Sequence, residues 1–521
     1  MTVRNKLYSI MRTALSASLL ASIVLIGTSR VSNAQISGEV IDRFSSITQN
    51  SISNMGALGD TLWTGPLLYY TLEGTVNFFA PDGADSVLNG RGRLFSISVS
   101  PDTVVAGLGY NDDSAGESVQ TGLGFHTTTD GAISWNFIPL PLDDPDSTTI
   151  LYGGRLIQTV PIIVPQQSPP FDVTFSGSTI FSASWASGIR RSRDFGENWE
   201  RILLPPATLR ELRPNRSYDF VFDPRLDNNF LGFSVLVDRD GYVWAGTAGG
   251  INISRDALTA PADSISWSRV WAGPDIDRML GNWVIKMREN PYDGRVWMTN
   301  WIASQGERQG VVSTADKGIT FARYLEGERI YDLAFDGETI YASGDNGLFI
   351  SRNNGLTWEQ IGQIRSNNAI IKHSANYLSL AHTTERLWVG TTDGLASTND
   401  KGLTWNITRV EYPLRGGNQL VPDGRDVSAY AYPNPFSPAI HEIVRFRFEA
   451  TVTGMATIRL YDFGMNLIRE LETDFQVITG RKYEAVWDGT DSSGRKVSNG
   501  AVFYRISVGD DHTTGKILVL E

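Results

Sequence analysis

The sequence predicts an all-β chain: a seven-bladed β-propeller followed by a small C-terminal β-sandwich. Three observations carry this. An octet with a hydroxyl, an Asp two residues on, a Gly and a terminal aromatic recurs between Thr128 and Trp405. A short β-branched and aromatic run precedes each copy. After Trp405 the repeat stops, and residues 431–521 alternate apolar and polar in a different texture. Internal repetition of this kind fixes the architecture.

The chain has 521 residues, of which 41% are hydrophobic, with 14 Trp and 51 Gly; this suits a globular, strand-rich protein of two or three domains. The first 34 residues read as a signal peptide. Arg4, Lys6 and Arg12 flank the apolar stretch 14–27, and Ser32-Asn33-Ala34 supplies small residues for cleavage. A membrane anchor is the alternative, but the apolar run is shorter than the ~20 residues a span needs. The chain has no Cys, which excludes a lipid-anchored lipoprotein, disulfides and thiolate metal sites, and favours a bacterial source. Lys and Arg number 45 against 57 Asp and Glu; without the leader, which holds four basic residues and no acidic one, 41 face 57, a net charge of −16. Such acidity argues against nucleic acid or an anionic membrane as partner.

The propeller is expected over residues 35–410. The full octets end at Trp135, Trp199, Phe321, Trp358 and Trp405, and an interrupted copy runs from Ser254 to Trp267. The preceding runs are TVVAG (103–107), TIFSA (179–183), YVWAG (242–246), RVWMT (295–299), TIYAS (339–343) and RLWVG (386–390), with a seventh, TLWTG (61–65), at the start. Earlier apolar runs lie at 94–99, 171–175, 330–335 and 377–381, joined by turn residues such as Gly177-Ser178 and Asp240-Gly241. Each unit therefore reads strand, turn, strand, loop, strand, octet, strand, and seven such units make seven blades. Blade one falls at about 50–80, where a plain Leu72-Glu73-Gly74 turn replaces the octet.

The pattern Ser/Thr-x-Asp-x-Gly-x-Thr-Trp resembles the Asp-box, or BNR, repeat of sialidase-type propellers. Two departures stand out: Asn353 replaces an Asp, and Ala132 stands at a Gly position. Asp130, Asp194, Asp256, Asp316 and Asp400, with Asn353, are expected to accept backbone N–H groups inside a tight turn. Gly196, Gly318, Gly355 and Gly402 would take a positive φ. The aromatics Trp135, Trp199, Trp267, Phe321, Trp358 and Trp405 would pack between blades. The octet is thus structural; a calcium loop would need six to eight clustered oxygens and would tolerate Asn353 poorly. The resemblance also puts these turns on the face away from any active site.

The opposite face would then carry the loops between second and third strands and the blade-to-blade connections. There Tyr110, Asp112 and Asp113 open a long loop, Trp185 and Trp301 follow second strands, and Arg210, Arg213 and Arg216 share one connection. Exposed Trp beside carboxylates and Arg suits a glycan or protein platform. The competing expectation is that both Trp pack under their own loops and the arginines are merely solvated. A sialidase would need an arginine cluster from several blades, a Tyr–Glu pair and an Arg-Ile-Pro tripeptide, which this sequence lacks. The five His are scattered and no His-Glu-x-x-His occurs. No catalytic residue, metal ligand or cofactor is assigned.

Residues 411–430 read as a linker rich in Gly, Pro and charge. The module 431–521 resembles the C-terminal Ig-like domain of the flagellar hook-cap scaffold (FlgD-like) and of type IX secretion sorting domains. The residues that carry this are Tyr432 to Phe436, Tyr461-Asp462 with Gly464, Trp487-Asp488-Gly489 with Asp491, Gly494-Arg495, and Gly500 with Phe503-Tyr504. The resemblance implies export to the outside or the outer-membrane surface of a diderm bacterium, with secretion machinery as a partner; a plain Ig-like spacer is the alternative. The reading as a whole is a non-catalytic exported binding protein, with a secreted glycoside hydrolase of the sialidase class as the alternative.

Overall fold

A computed structural model of the chain describes residues 43–44, 49–65, 68–72, 78–79, 92–113, 116–273, 275, 278–366, 369–410, 428–471 and 476–521. The expected leader and most of the expected linker lie outside these residues, as does much of the outer hairpin of the first repeat. The structure is nearly all β and divides into two compact units, Met1–Gly362 with Asn376–Leu403, and Gln363–Ala375 with Thr404–Glu521.

The first unit is a β-propeller. Its main sheets follow one another along the chain, each built on an antiparallel meander of four strands hydrogen-bonded in sequence order, to which the first and the fourth add a fifth strand at one edge. In the second sheet these are Arg93–Val99, Val104–Asp112, Val119–Thr128 and Asn136–Pro139. In the third they are Asp172–Ser176, Thr179–Ser184, Gly188–Ser192 and Glu200–Ile202. The recurrent β-branched run is the second strand each time, and it is buried along nearly its whole length. A strand buried on both faces reads as a continuous apolar run, which explains why Val, Ile, Trp and Ala dominate there. First strands touch in cyclic order from one sheet to the next, and Tyr377–His382 of the last touches Met55–Leu58 of the first. Ring closure is explicit: Ile52 N–H donates to Thr391 O at 2.9 Å, and Gly394 N–H donates to Asn50 O at 2.7 Å.

One position of the first strand repeats around the ring. Pairing slips by a residue between Leu94 and Ser96, Gly232 and Ser234, Val284 and Lys286, Ile330 and Asp332, and Tyr377 and Ser379. After each slip comes a polar residue whose side chain ties its sheet to another. Ser96 Oγ donates to Pro170 O at 2.7 Å, Ser234 Oγ to Val284 O at 2.8 Å, and Ser379 Oγ to Ile52 O at 2.8 Å. Asp172 accepts Val235 N–H, and Asp332 accepts Leu380 N–H. Opposite the three serines stand Gly107, Gly246 and Gly390, where an added Cβ would fall on the serine Oγ. These glycines are there for close approach, not for a special φ.

The octets form turns with a shared bonding plan. Asp194 Oδ1 accepts Ser192 Oγ and Asn198 N–H, both at 2.8 Å, and Ser192 Oγ accepts Gly196 N–H at 2.7 Å. Asp316 and Asn353 repeat it with Thr320 N–H and Thr357 N–H, both at 2.9 Å. Asp256 accepts Ser266 N–H across the interrupted copy, and Asp400 accepts Leu403 N–H. Two successive residues are left-handed, not one: Phe195 and Gly196, Lys317 and Gly318, Asn354 and Gly355, Lys401 and Gly402. In the first octet the pair is Gly131 and Ala132, so the glycine has moved one place forward and Ala132 takes the second position. The aromatics reach back to the preceding sheet. Trp199 stacks on Phe125 at 4.9 Å, Trp135 meets Trp63 edge-on at 5.5 Å, and Trp267 is fully buried among Phe181 and Ile189. Trp199 and Trp358 also donate their indole N–H to the carbonyls of Gly196 and Gly355.

Residues between the second and third sheets form an extra hairpin, Thr149–Tyr152 with Arg155–Thr159, to which Val221–Phe222 adds in parallel. Tyr152, Ile157 and Phe222 pack it against the flank of the third and fourth sheets.

The second unit holds two sheets around one apolar core. Ala429–Tyr432, Val444–Glu449 and Lys482–Trp487 make the first; Leu467–Leu471, Gly454–Tyr461, Gly500–Val508 and Asp511–Val519 make the second. Phe446, Trp487, Ile458, Leu460 and Ile517 meet between them, all nearly inaccessible to solvent. The stretch Gln363–Ala375 is tied into this unit, because Glu442 accepts His373 N–H at 2.8 Å and Ser374 N–H at 2.9 Å. Arg409, Arg445 and Tyr432 converge on buried Glu484, and Arg409 also donates to Ile370 O.

Candidate functional site

Connections in a four-strand meander alternate between the two ends of the strands. The octets share an end with the first hairpin turns, and their backbones are bonded to them: Phe195 N–H donates to Ser178 O and Asn354 N–H to Glu338 O, both at 2.9 Å. The other end carries the second-to-third loops and the starts of the first strands, where the register slips occur. A bulge re-aims the residue it releases. Here the released residues are Phe95, Phe233, Ile285, Tyr331 and Leu378, and Phe171 precedes the polar Asp172 in the third sheet.

These residues build an aromatic arc around the mouth. Phe95 and Phe171 lie 6.2 Å apart between ring centres, Phe171 and Phe233 6.3 Å, and Phe233 and Trp283 5.5 Å. Trp185 closes on Phe233 at 5.2 Å and on Trp283 at 6.1 Å. Further round, Trp301 meets Tyr331 edge-on at 5.4 Å, and the Arg329 guanidinium sits 4.0 Å over the Trp301 ring. Phe95, Phe171, Trp185 and Tyr331 are half-buried, while Phe233 and Trp283 are only 4% and 3% exposed.

The layer of polar residues is charged in one sector. Lys286 Nζ lies 2.7 Å from Asp172 Oδ1, and Arg288 grips Asp332 through two bonds of 3.0 Å. Tyr331 donates its hydroxyl to Asp345, and burial with that bond pushes its pKa well above the usual tyrosine range. Every one of these charges is met inside the protein.

The predicted site residues divide. Trp185 joins the arc. Trp301 is at the mouth but is 6% exposed and donates its indole N–H to Ile330 O at 2.8 Å, so it supports its neighbours instead of facing solvent. Tyr110 and Asp112 extend the second strand of sheet two, where Gln166 Nε2 lies 3.5 Å from Asp112; Asp113 is exposed beyond them. The three arginines are not at the mouth. Glu211–Leu212 adds a fifth strand to the outer edge of the fourth sheet and carries them there. Arg213 and Arg216 pair with Glu211 at 3.2 and 2.6 Å, and Arg210 lies 5.1 Å over Trp271. Sequence reasoning passed over Phe95, Phe171, Phe233, Trp283 and Tyr331. The available signal was an apolar residue before a Ser, Asp or Lys at each first strand. Among the described residues no cluster of three His, Asp or Glu could hold a metal ion, and no helix is long and apolar enough to cross a membrane.

This fold and mouth define a β-propeller with an aromatic-lined end. No protein-family model matches the chain, and no curated protein matches it. Among solved structures it is similar to PorZ, an essential bacterial surface component of the type-IX secretion system of Porphyromonas gingivalis, with a TM-score of 0.43 and 15% identity over 92% of this chain and 60% of that one. The chain thus spans about three fifths of the length of that PorZ structure. It is also similar to YCF48 bound to D1 peptide (TM-score 0.41, 15% identity, 71% of this chain and 96% of that one). A third is an ancestral GH74 enzyme (TM-score 0.43, 13% identity, 90% and 62%).

Proposed function

We propose that the chain is an exported, non-catalytic binding protein. In this reading the first unit is a seven-bladed propeller of the Asp-box type. Its mouth, at the end away from the octets, takes an extracellular protein or glycan ligand. The second unit, with 431–521 as its main part, is an Ig-like module that acts as a sorting or anchoring signal for secretion machinery. The protein would then reach the outside or the outer-membrane surface of a diderm bacterium.

One observation carries the binding reading. The mouth offers half-exposed rings from several sheets, while the charges beneath them are already paired, so what is left for a ligand is aromatic contact surface. Peptide and glycan arrays probed with the purified chain test it. Binding that Phe171→Ala or Trp185→Ala reduces at least tenfold is the expected result. Array binding indifferent to both substitutions would reject the mouth as the site. Cell fractionation tests the sorting role, which falls if a chain lacking 431–521 reaches the surface as the full chain does.

A further inference from the structure

A second concavity, distant in role from the mouth, lies on the flank of the third sheet. It is an open cleft of about 710 Å³ between the inserted hairpin Thr149–Tyr152 and the outer strand Glu200–Ile202, with Pro261 to Asp263 as its far wall. That volume lies within the range of ordinary ligand sites.

The cleft is lined by an unusual charge arrangement. Arg190 and Arg201 are cross-strand partners and share one carboxylate. Arg190 Nη2 lies 2.8 Å from Asp143 Oδ1, and Arg201 Nη1 lies 3.1 Å from Asp143 Oδ2, which also accepts Ile162 N–H at 2.7 Å. The side chains are 6%, 10% and 6% exposed for Arg190, Arg201 and Asp143. Two guanidiniums against one carboxylate leave one positive charge in excess. Both Nε atoms are buried with no hydrogen-bond partner among the described residues. Glu200, which also lines the cleft, is committed elsewhere, bonded twice to Arg191 at 2.7 and 2.9 Å. A buried guanidinium with unused donors is costly unless an anion or water meets it, and its planar fork matches a carboxylate. The more exposed lining has the opposite sign and forms the lip: Asp144 and Glu197 are exposed and Asp263 is half-buried.

From a cationic floor under an anionic lip we infer that this cleft binds the C-terminal end of a peptide, with its α-carboxylate on Arg190 and Arg201 and a Lys or Arg side chain near the terminus between the lip carboxylates. Nothing covalent is involved. The site is separate from the mouth, so it stands or falls independently of the ligand proposed there.

Calorimetry with the full mature chain tests it. The probes are acetylated hexapeptides ending in Lys or in Ala, each as the free acid and as the carboxamide, with sodium glucuronate as a carboxylate that carries no cation. The Lys-terminated acid should bind, its carboxamide at least tenfold more weakly, and the Ala-terminated acid in between. Glu197→Gln with Asp263→Asn, both near the surface and able to keep the fold, should erase the preference for Lys over Ala while leaving the preference for acid over amide. Arg190→Lys should do the reverse. Equal binding of acid and amide, no binding of any peptide, or glucuronate competing as well as the Lys-terminated acid would each overturn the proposal.

Discussion

Lys286 Nζ meets Asp172 Oδ1 at 2.7 Å, although the two residues belong to the fifth and third sheets with the fourth between them. The other polar ties of this layer join sheets in direct succession. This pair instead spans a sector, and the same Asp172 holds the intervening sheet through Val235 N–H. With 15% and 5% of their side chains exposed, the two charges sit where removing one leaves the other short of a partner. Lys286→Ala should therefore cost about 3–5 kcal/mol in stability. Urea denaturation of the variant against the parent measures it, and a change under 1 kcal/mol would show the pair to be dispensable.

Trp301 and Trp185 should separate by experiment. Trp301 is packed and bonded, so Trp301→Ala is expected to lose about 3–5 kcal/mol, as large aromatic truncations do. Trp185→Ala should lose less than half of that while weakening whatever ligand the arrays identify. Equal losses of stability would mean that both rings are scaffold.

Acid should expose the work of the octets. The Ser134 hydroxyl, its N–H and the Thr128 hydroxyl hold Asp130 at a pKa of about 2, and Asn198, through its N–H and its side chain, does the same for Asp194. The unfolded value is near 3.9, so the folded value is the lower one. Their contribution is then fully present above about pH 4 and is lost as pH falls toward 2. Asp130→Asn with Asp194→Asn should flatten this part of the stability profile and change little at pH 7, as the natural Asn353 suggests. Parallel profiles for the variant and the parent would sink the idea.

How much of this was readable beforehand depends on the interaction. The octets and second strands showed in the sequence because spacing and burial repeat with the strands. The first left-handed residue of each turn did not show, since Phe195, Asn354 and the lysines Lys317 and Lys401 share no one residue type and only the following Gly repeats. The arc was hidden for a different reason. Phe233 and Tyr331 look like ordinary strand residues until a bulge shifts the register by one, and alternation alone cannot reveal that. Arg210, Arg213 and Arg216 were misplaced because two residues, Glu211 and Leu212, join a sheet edge too briefly to register as a strand.

Glu484 offers a test of the second unit. It is buried against Arg409 and Arg445, with Tyr432 donating to it at 3.0 Å. Glu484→Gln should destabilise this unit by about 3–5 kcal/mol, because two arginines lose their countercharge. A fragment spanning 404–521 should also be more protease-sensitive than the intact chain, since it lacks the Gln363–Ala375 segment that Glu442 caps. Equal resistance of fragment and chain would show that the segment contributes nothing.

The bond from Ser379 to Ile52 also sets an order of events. It joins residues 327 positions apart, and Ile52 lies near the beginning of the circle while its partner lies near the end. A nascent chain grows from its N-terminus. Until the last sheet has left the ribosome, the closing bonds of Ile52 to Thr391 and of Gly394 to Asn50 cannot form, and every earlier sheet waits in an unsealed arc with an open flank. Assembly of the propeller is thus complete only at its last sheet, and the interval before that is when a chaperone would have something to hold.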